Sequence, residues 1–135
     1  MITNRSMPPA VVIPELPYPD VREATDWLCR TFGFTERLRI GNHRAQLSFG
    51  DGSLVVTQGN NLSDSSISIM VRVDKVDNHY EHVKQSGAQI VSAPADYPYG
   101  ERQYTVEDPG GHRWTFSQTI ADVDPKTWGG ILFGN

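Results

Sequence analysis

Residues 97–118 read YPYGERQYTVEDPGGHRWTFSQ, and the fold follows from them. Asp108, Pro109, Gly110 and Gly111 make a turn signal, because proline presets φ at a turn corner and glycine accepts positive φ without a Cβ clash. Beyond the turn, Trp114 and Phe116 alternate with Arg113, Thr115 and Ser117. Strict period-two alternation marks a strand buried on one side only. Before the turn, residues 103–107 form a polar, β-prone run opened by Gly100. The unit is a hairpin with one apolar and one polar face. The polar face is expected to line a ligand cavity.

Around this hairpin, 135 residues suffice for one domain with a substantial core. A net charge of −4 with no basic stripe argues against a nucleic-acid partner. No apolar run approaches the ~18–20 residues of a membrane helix, so no membrane partner is expected. The first residues lack the basic and apolar regions of a signal peptide. A single cysteine, Cys29, excludes an intrachain disulfide and fits a reducing compartment. A cytoplasmic setting is expected.

Residues 1–10 read as a flexible leader. Residues 11–16 form a short strand that Pro17 stops. Asp20 opens a helix with Glu23 at capping-box spacing, Val21, Ala24, Trp27, Leu28 and Phe32 make its buried stripe, and Gly33 ends it. Strand-like runs at 35–40, 43–49 and 53–58 follow, separated by glycine-bearing turns. Residues 59–65 are a polar linker. The grammar then repeats. A strand spans 66–73, and Asp74 caps a helix that buries Val76, Tyr80 and Val83 and turns His79 and His82 to solvent. Gly87 ends this helix, residues 88–92 form a strand, and Pro94 breaks the chain before the hairpin. Asp20 to Asp74 and Gly33 to Gly87 are both 54 residues apart, the mark of an internal duplication. The expected fold is α+β: two tandem βαβββ repeats, residues 11–58 and 66–118, form a curved mixed sheet around a central cavity with the helices outside. Residues 119–135 are a tail, either a lid or a dimer contact, and the whole is one domain.

The paired βαβββ units, Tyr18-Pro19-Asp20 ahead of a helix ending Phe32-Gly33-Phe34, and the Asp108-Pro109-Gly110-Gly111-His112-Arg113-Trp114 element resemble the vicinal oxygen chelate superfamily. That superfamily includes glyoxalase I, extradiol dioxygenases, fosfomycin-resistance enzymes and bleomycin-resistance proteins. The resemblance covers residues 11–118. It implies that metal ligands, where the family carries them, fall at Ile13, Val56, Ser68 and Thr115, with Glu15 and Gln58 one alternate step away. Isoleucine and valine offer a metal nothing, and hydroxyls are poor ligands. The chain is therefore expected in a metal-free branch with no cofactor and no catalytic residues. His112 either reaches the cavity mouth as an acid or base or stabilises the turn by a hydrogen bond. Cys29 reads as a buried, inert thiol.

Alternation sends Arg113, Thr115 and Ser117 into the cavity. Ser68, Met70 and Arg72 join them from one strand and Leu54, Val56 and Gln58 from another, with Ile13 and Glu15 from the first. Arg72 reads either as a clamp for a carboxylate or phosphate, or as an internal ion pair or surface arginine. Tyr97, Tyr99, Arg102 and Tyr104 form a cluster that can stack on a flat ligand or pack across the hairpin, and Trp128 of the tail is expected to join the ligand-binding residues. The expected function is that of a small-molecule-binding protein similar to the bleomycin-resistance proteins. It sequesters a planar or cationic organic molecule non-covalently, with antibiotic resistance as the implied role and a homodimer as the implied assembly. The alternatives are a metal-dependent glyoxalase- or dioxygenase-type enzyme with ligands such as Glu15, Gln58 or His112, and a non-catalytic dimeric interaction module.

Overall fold

Asp20 and Gly33 bracket the first helical segment. In the computed structural model, which describes residues 2–60 and 68–133, the Asp20 carboxylate accepts from the Glu23 N–H at 3.0 Å. This engages a donor that a helix start otherwise leaves open. Helix α1 (Val21–Trp27) runs into a π-helical turn, Leu28–Phe32, and Gly33 closes it at a φ of 93°. The strands around it are β1 (Glu15–Tyr18), β2 (Thr35–Ile40), β3 (Arg44–Phe49) and β4 (Gly52–Gln58). They lie in the order β1-β4-β3-β2, with β1 parallel to β4.

The second unit repeats the first: β5 (Ser68–Arg72), α2 (Val76–Gln85), β6 (Gln89–Tyr97), β7 (Glu101–Glu107) and β8 (Arg113–Thr119). Its order is β5-β8-β7-β6, with β5 parallel to β8. A 3₁₀ turn, Pro125–Trp128, follows. These are the two βαβββ repeats of an α+β fold that the duplication implies. Contacts divide the described residues into two units, 2–60 with 109–111, and 68–108 with 112–133. Most of the expected linker and the start of the strand expected at 66 lie outside the described residues. Among the described residues no helix is long and apolar enough to cross a membrane.

Register partners share a face, so burial can be followed across each sheet. In the first sheet Leu16, Ala45, Leu47, Leu54 and Val56 lie together and are buried. Glu36, the partner of Leu47, takes two hydrogen bonds from Arg22 of α1, so α1 covers this face. On the opposite face lies Gln46, whose Nε2 donates to the Ser6 carbonyl at 2.9 Å and whose Oε1 accepts from Arg37 at 2.6 Å. Arg37 also donates to the Arg5 carbonyl at 2.8 Å, and Pro8 is buried. The N-terminal residues are thereby strapped across that face. In the second sheet Tyr104, Val106, Trp114 and Phe116 share the α2 face and are fully buried.

Several local expectations change. The first strand starts at Glu15, not at residue 11, and Pro17 lies inside it. β1 is an edge strand, where a missing N–H need not face a ladder partner. An edge strand of the second sheet, β6, likewise runs through Pro94, and register breaks on both sides of Ser92 accommodate it. Asp74 does not cap α2; the Val76 N–H is met by Gln118 Oε1 at 2.9 Å. His79 belongs to the packed side of α2, its Nδ1 2.5 Å from Tyr104 OH and its ring 4.2 Å from that of Phe116. The fourth strand is turned over. Val56 and Gln58 pair with Leu16 and Tyr18 on the α1 face, away from the face expected for them.

Candidate functional site

The face of the second sheet opposite α2 is polar because β7 and β8 both alternate. Gln103 and Thr105 of β7 stand beside Ser117 and Thr115 of β8, and Arg72 and Met70 of β5 complete the rows. Along its centre runs a chain of hydrogen bonds. Tyr99 OH donates to Gln103 Oε1 at 3.0 Å, Gln103 Nε2 donates to Ser117 Oγ at 3.0 Å, and Ser117 donates to Glu101 Oε1 at 2.6 Å. The Thr105 and Thr115 hydroxyls, 3.0 Å apart, make the next rung. Met70 is 64% exposed on this face, its sulfur 4.0 Å from Gln103 Nε2. A thioether there is an adaptable apolar surface among fixed polar groups. Burial pushes the Glu101 carboxyl up, but hydrogen bonds from Ser117 and Thr119 and the charge of Arg72 outweigh it. Its pKa sits below the ordinary value, so Glu101 is a carboxylate at neutral pH.

Gly100 sets the border of this face. Its φ is 85°, its carbonyl accepts from the Ile120 N–H at 2.8 Å, and a Cβ there would lie 2.4 Å from the Ala121 oxygen. Only glycine permits the tail to return so closely. Asp124 then accepts from the Lys126 N–H at 3.1 Å and starts the Pro125–Trp128 turn. The turn brings the Trp128 ring to 5.5 Å from that of Tyr99, which in turn stacks on Tyr97 at 5.6 Å with the rings 13° apart. Three aromatic rings in series border the polar strip.

Of the residues expected from the sequence, Met70, Arg72, Tyr99, Thr115 and Trp128 are brought together here. Ser68 and Arg113, register partners, lie farther along the same face. Tyr104 and Arg102 are on the other side of β7. Tyr104 is fully buried with its hydroxyl on His79, and burial pushes its pKa up. Arg102 is held by Asp77 of α2 and Asp96 of β6. Glu15, Val56 and Gln58 belong to the first unit, where Glu15 pairs with Arg44. Glu101 and Gln103 escape a reading that starts from β8. The signal that marks them is their alternation, with Thr105, against Tyr104 and Val106.

The positions where the resemblance would place metal ligands supply no donor set. Val56 is apolar and faces α1, Ile13 precedes β1, and Ser68 and Thr115 offer hydroxyls. Among the described residues no three His, Cys, Asp or Glu are grouped to hold a metal. His112 is buried, with its backbone N–H donating to Asp108 Oδ1 at 2.9 Å and its Nδ1 3.3 Å from the same oxygen. It ties the turn together. Cys29 is half-buried, and burial, the largest influence on its thiol, pushes its pKa up, which keeps it protonated at neutral pH. These residues do not fit a metal centre of the kind the resemblance implies.

A family model for the Glyoxalase/Bleomycin resistance protein/Dioxygenase superfamily matches residues 10–116. An uncharacterized protein of Mycobacterium bovis is 30% identical over 115 residues, which cover 85% of this chain and 71% of that protein. An uncharacterized protein of Mycobacterium tuberculosis is also 30% identical, with 64% of its length spanned. Among solved structures, TioX from Micromonospora sp. ML1 is similar at 34% identity and a TM-score of 0.70, covering 85% of this chain and all of that one. A bleomycin resistance determinant encoded on the transposon Tn5 shares the fold at 24% identity and a TM-score of 0.68, with 82% and 98% covered.

Proposed function

From the premise that this chain belongs to the Glyoxalase/Bleomycin resistance protein/Dioxygenase superfamily, we propose that it binds a small planar organic molecule on the polar face of its second sheet. The observation that carries this reading is the series Tyr97, Tyr99 and Trp128 bordering a hydrogen-bonded polar strip. Aromatic pairs contribute about 0.5–1.5 kcal/mol each beyond the area they bury, and they suit flat ligands. A few fixed polar groups beside apolar surface then set orientation. The mechanism is sequestration: the ligand is withdrawn from solution and no bond is made or broken. The fold shared with a bleomycin resistance determinant supports a protective role against a toxic planar compound. Exposed Ile131, Leu132 and Phe133 support a homodimer that covers the tail.

Calorimetric titration with bleomycin and, separately, with the planar cation ethidium tests the reading. Saturable binding in the range of about 1–100 μM is expected, weakened at least about tenfold by Tyr99→Ala through loss of the stacking surface. Failure of both compounds to bind, or binding indifferent to Tyr99→Ala, would sink it.

A further inference from the structure

The hydrogen-bond chain on this face can run in only one direction, and its last group decides which. Glu101 is a carboxylate and can only accept. Ser117 Oγ, 2.6 Å away, therefore gives its single hydrogen to Glu101. Ser117 is then left to accept from Gln103, so the Gln103 atom facing it is the amide nitrogen. That orientation turns Gln103 Oε1 toward Tyr99, and the single phenolic hydrogen goes to it. Each link forces the one before it. The Tyr99 hydroxyl, at the head of the chain, presents lone pairs outward and has no hydrogen to offer.

We propose that Tyr99 makes this face select planar ligands with an N–H donor at the rim over ligands of the same shape with an acceptor there. The inference rests on the reading above, that a planar ligand stacks against Tyr97, Tyr99 and Trp128. A donor at the rim completes the chain, whereas an acceptor meets lone pair against lone pair and goes unsatisfied as water is excluded. Sites that hydrogen-bond a ligand group discriminate against analogues lacking it far more than apolar pockets do. Arg72, the register partner of Ser117, brings a positive charge that acts on Glu101. The opposed charges lessen the part of net charge in the selection and leave it to hydrogen-bond polarity.

The test uses two neutral, planar bicyclic probes: indole, whose ring N–H donates, and quinoline N-oxide, whose oxygen only accepts. Calorimetry on the full chain is expected to give indole at least about tenfold tighter binding, the effect of about 1.4 kcal/mol. Glu101→Gln ends the chain in an amide that can donate to Ser117. The chain can then reverse, with Ser117 donating to Gln103 Oε1 and Gln103 to Tyr99, which frees the phenolic hydrogen. In that variant the preference is expected to vanish or invert. Tyr99→Phe keeps the ring and removes the polarity, so both probes are expected to bind it equally. Equal binding to the unaltered protein, or a preference unchanged in both variants, overturns the polarity inference and leaves planar-ligand binding standing. No binding of either probe to the unaltered protein overturns both.

Discussion

Trp114 Nε1 donates to Asp108 Oδ2 at 2.9 Å, with both residues buried in the second unit. The same carboxylate accepts the His112 N–H, and the Asp108 N–H donates to the His112 carbonyl at 2.9 Å. The loop between β7 and β8 is thus tied to the core strand that follows it by a single acid. A buried carboxylate that accepts several hydrogen bonds is matched, and its removal strands its donors.

Asp108→Ala leaves the Trp114 and His112 N–H groups without this acceptor. Each stranded donor costs about 1–3 kcal/mol, so a loss of about 3 kcal/mol is expected in urea unfolding. A loss below about 1 kcal/mol would show that these donors find other partners easily.

Glu36 carries the clearest acid-linked stability. Hydrogen bonds from Arg39 and then Arg22 lower its pKa from 4.5 to about 2. A lowered carboxylate pKa adds stability above the unfolded value and loses it as pH falls through the folded one. The contribution is therefore complete above about pH 5 and disappears towards pH 2. Screening of these partly exposed partners reduces it to about 1–2 kcal/mol. Glu36→Gln is expected to unfold more easily than the unaltered protein at pH 6 and equally easily at pH 2. A gap that persists at pH 2 would assign the effect to packing.

Gly100→Ala places a methyl group 2.4 Å from the Ala121 oxygen at a φ of 85°. Relief requires moving the tail, and the Tyr99–Trp128 contact moves with it. A loss of about 2 kcal/mol or more is expected, together with a change in tryptophan emission and weaker ligand binding. Unchanged emission and affinity would uncouple the tail from the aromatic series.

Arg102→Ala and Tyr104→Phe remove groups on the α2 side of β7. Tyr104→Phe is expected to lose about 1 kcal/mol with its bond to His79. Neither change is expected to alter affinity for a planar ligand by more than about twofold, as for distant, independent sites. A tenfold change in calorimetry would place the binding face on the wrong side of the sheet.

The strands divide sharply by how well their sequences announce their faces. In β8, RWTFS alternates without exception, and Trp114 and Phe116 pack where alternation puts them. In β4, Leu54, Val55 and Val56 are consecutive and all buried, so period-two reading has no polar residue to fix the face. Alternation therefore puts Val56 and Gln58 on the face opposite the one they occupy. Pro17 and Pro94 read as stops because sequence does not announce which strands are edges. The capping of α2 by Gln118 was illegible because the two lie 42 residues apart. Tyr99 and Trp128 stood out as aromatic residues. The link joining Tyr99 to Glu101 needed the register of β7 against β8, which no local pattern encodes.

Gln46 and Gln103 lie on strands that occupy corresponding places in the two repeats. The amide of Gln46 is held from within the chain, by Arg37 on one end and the Ser6 carbonyl on the other. Among the described residues, the side-chain amide of Gln103 meets only other side chains of its own face, those of Tyr99, Met70 and Ser117. Duplication supplies two copies of one surface, and here they have been given different work. One copy is a cleat around which the chain ties its own leading residues; the other, on the function proposed above, is a berth. Substitutions at Gln46 should therefore register in how firmly residues 2–8 hold, and those at Gln103 in what the protein will carry.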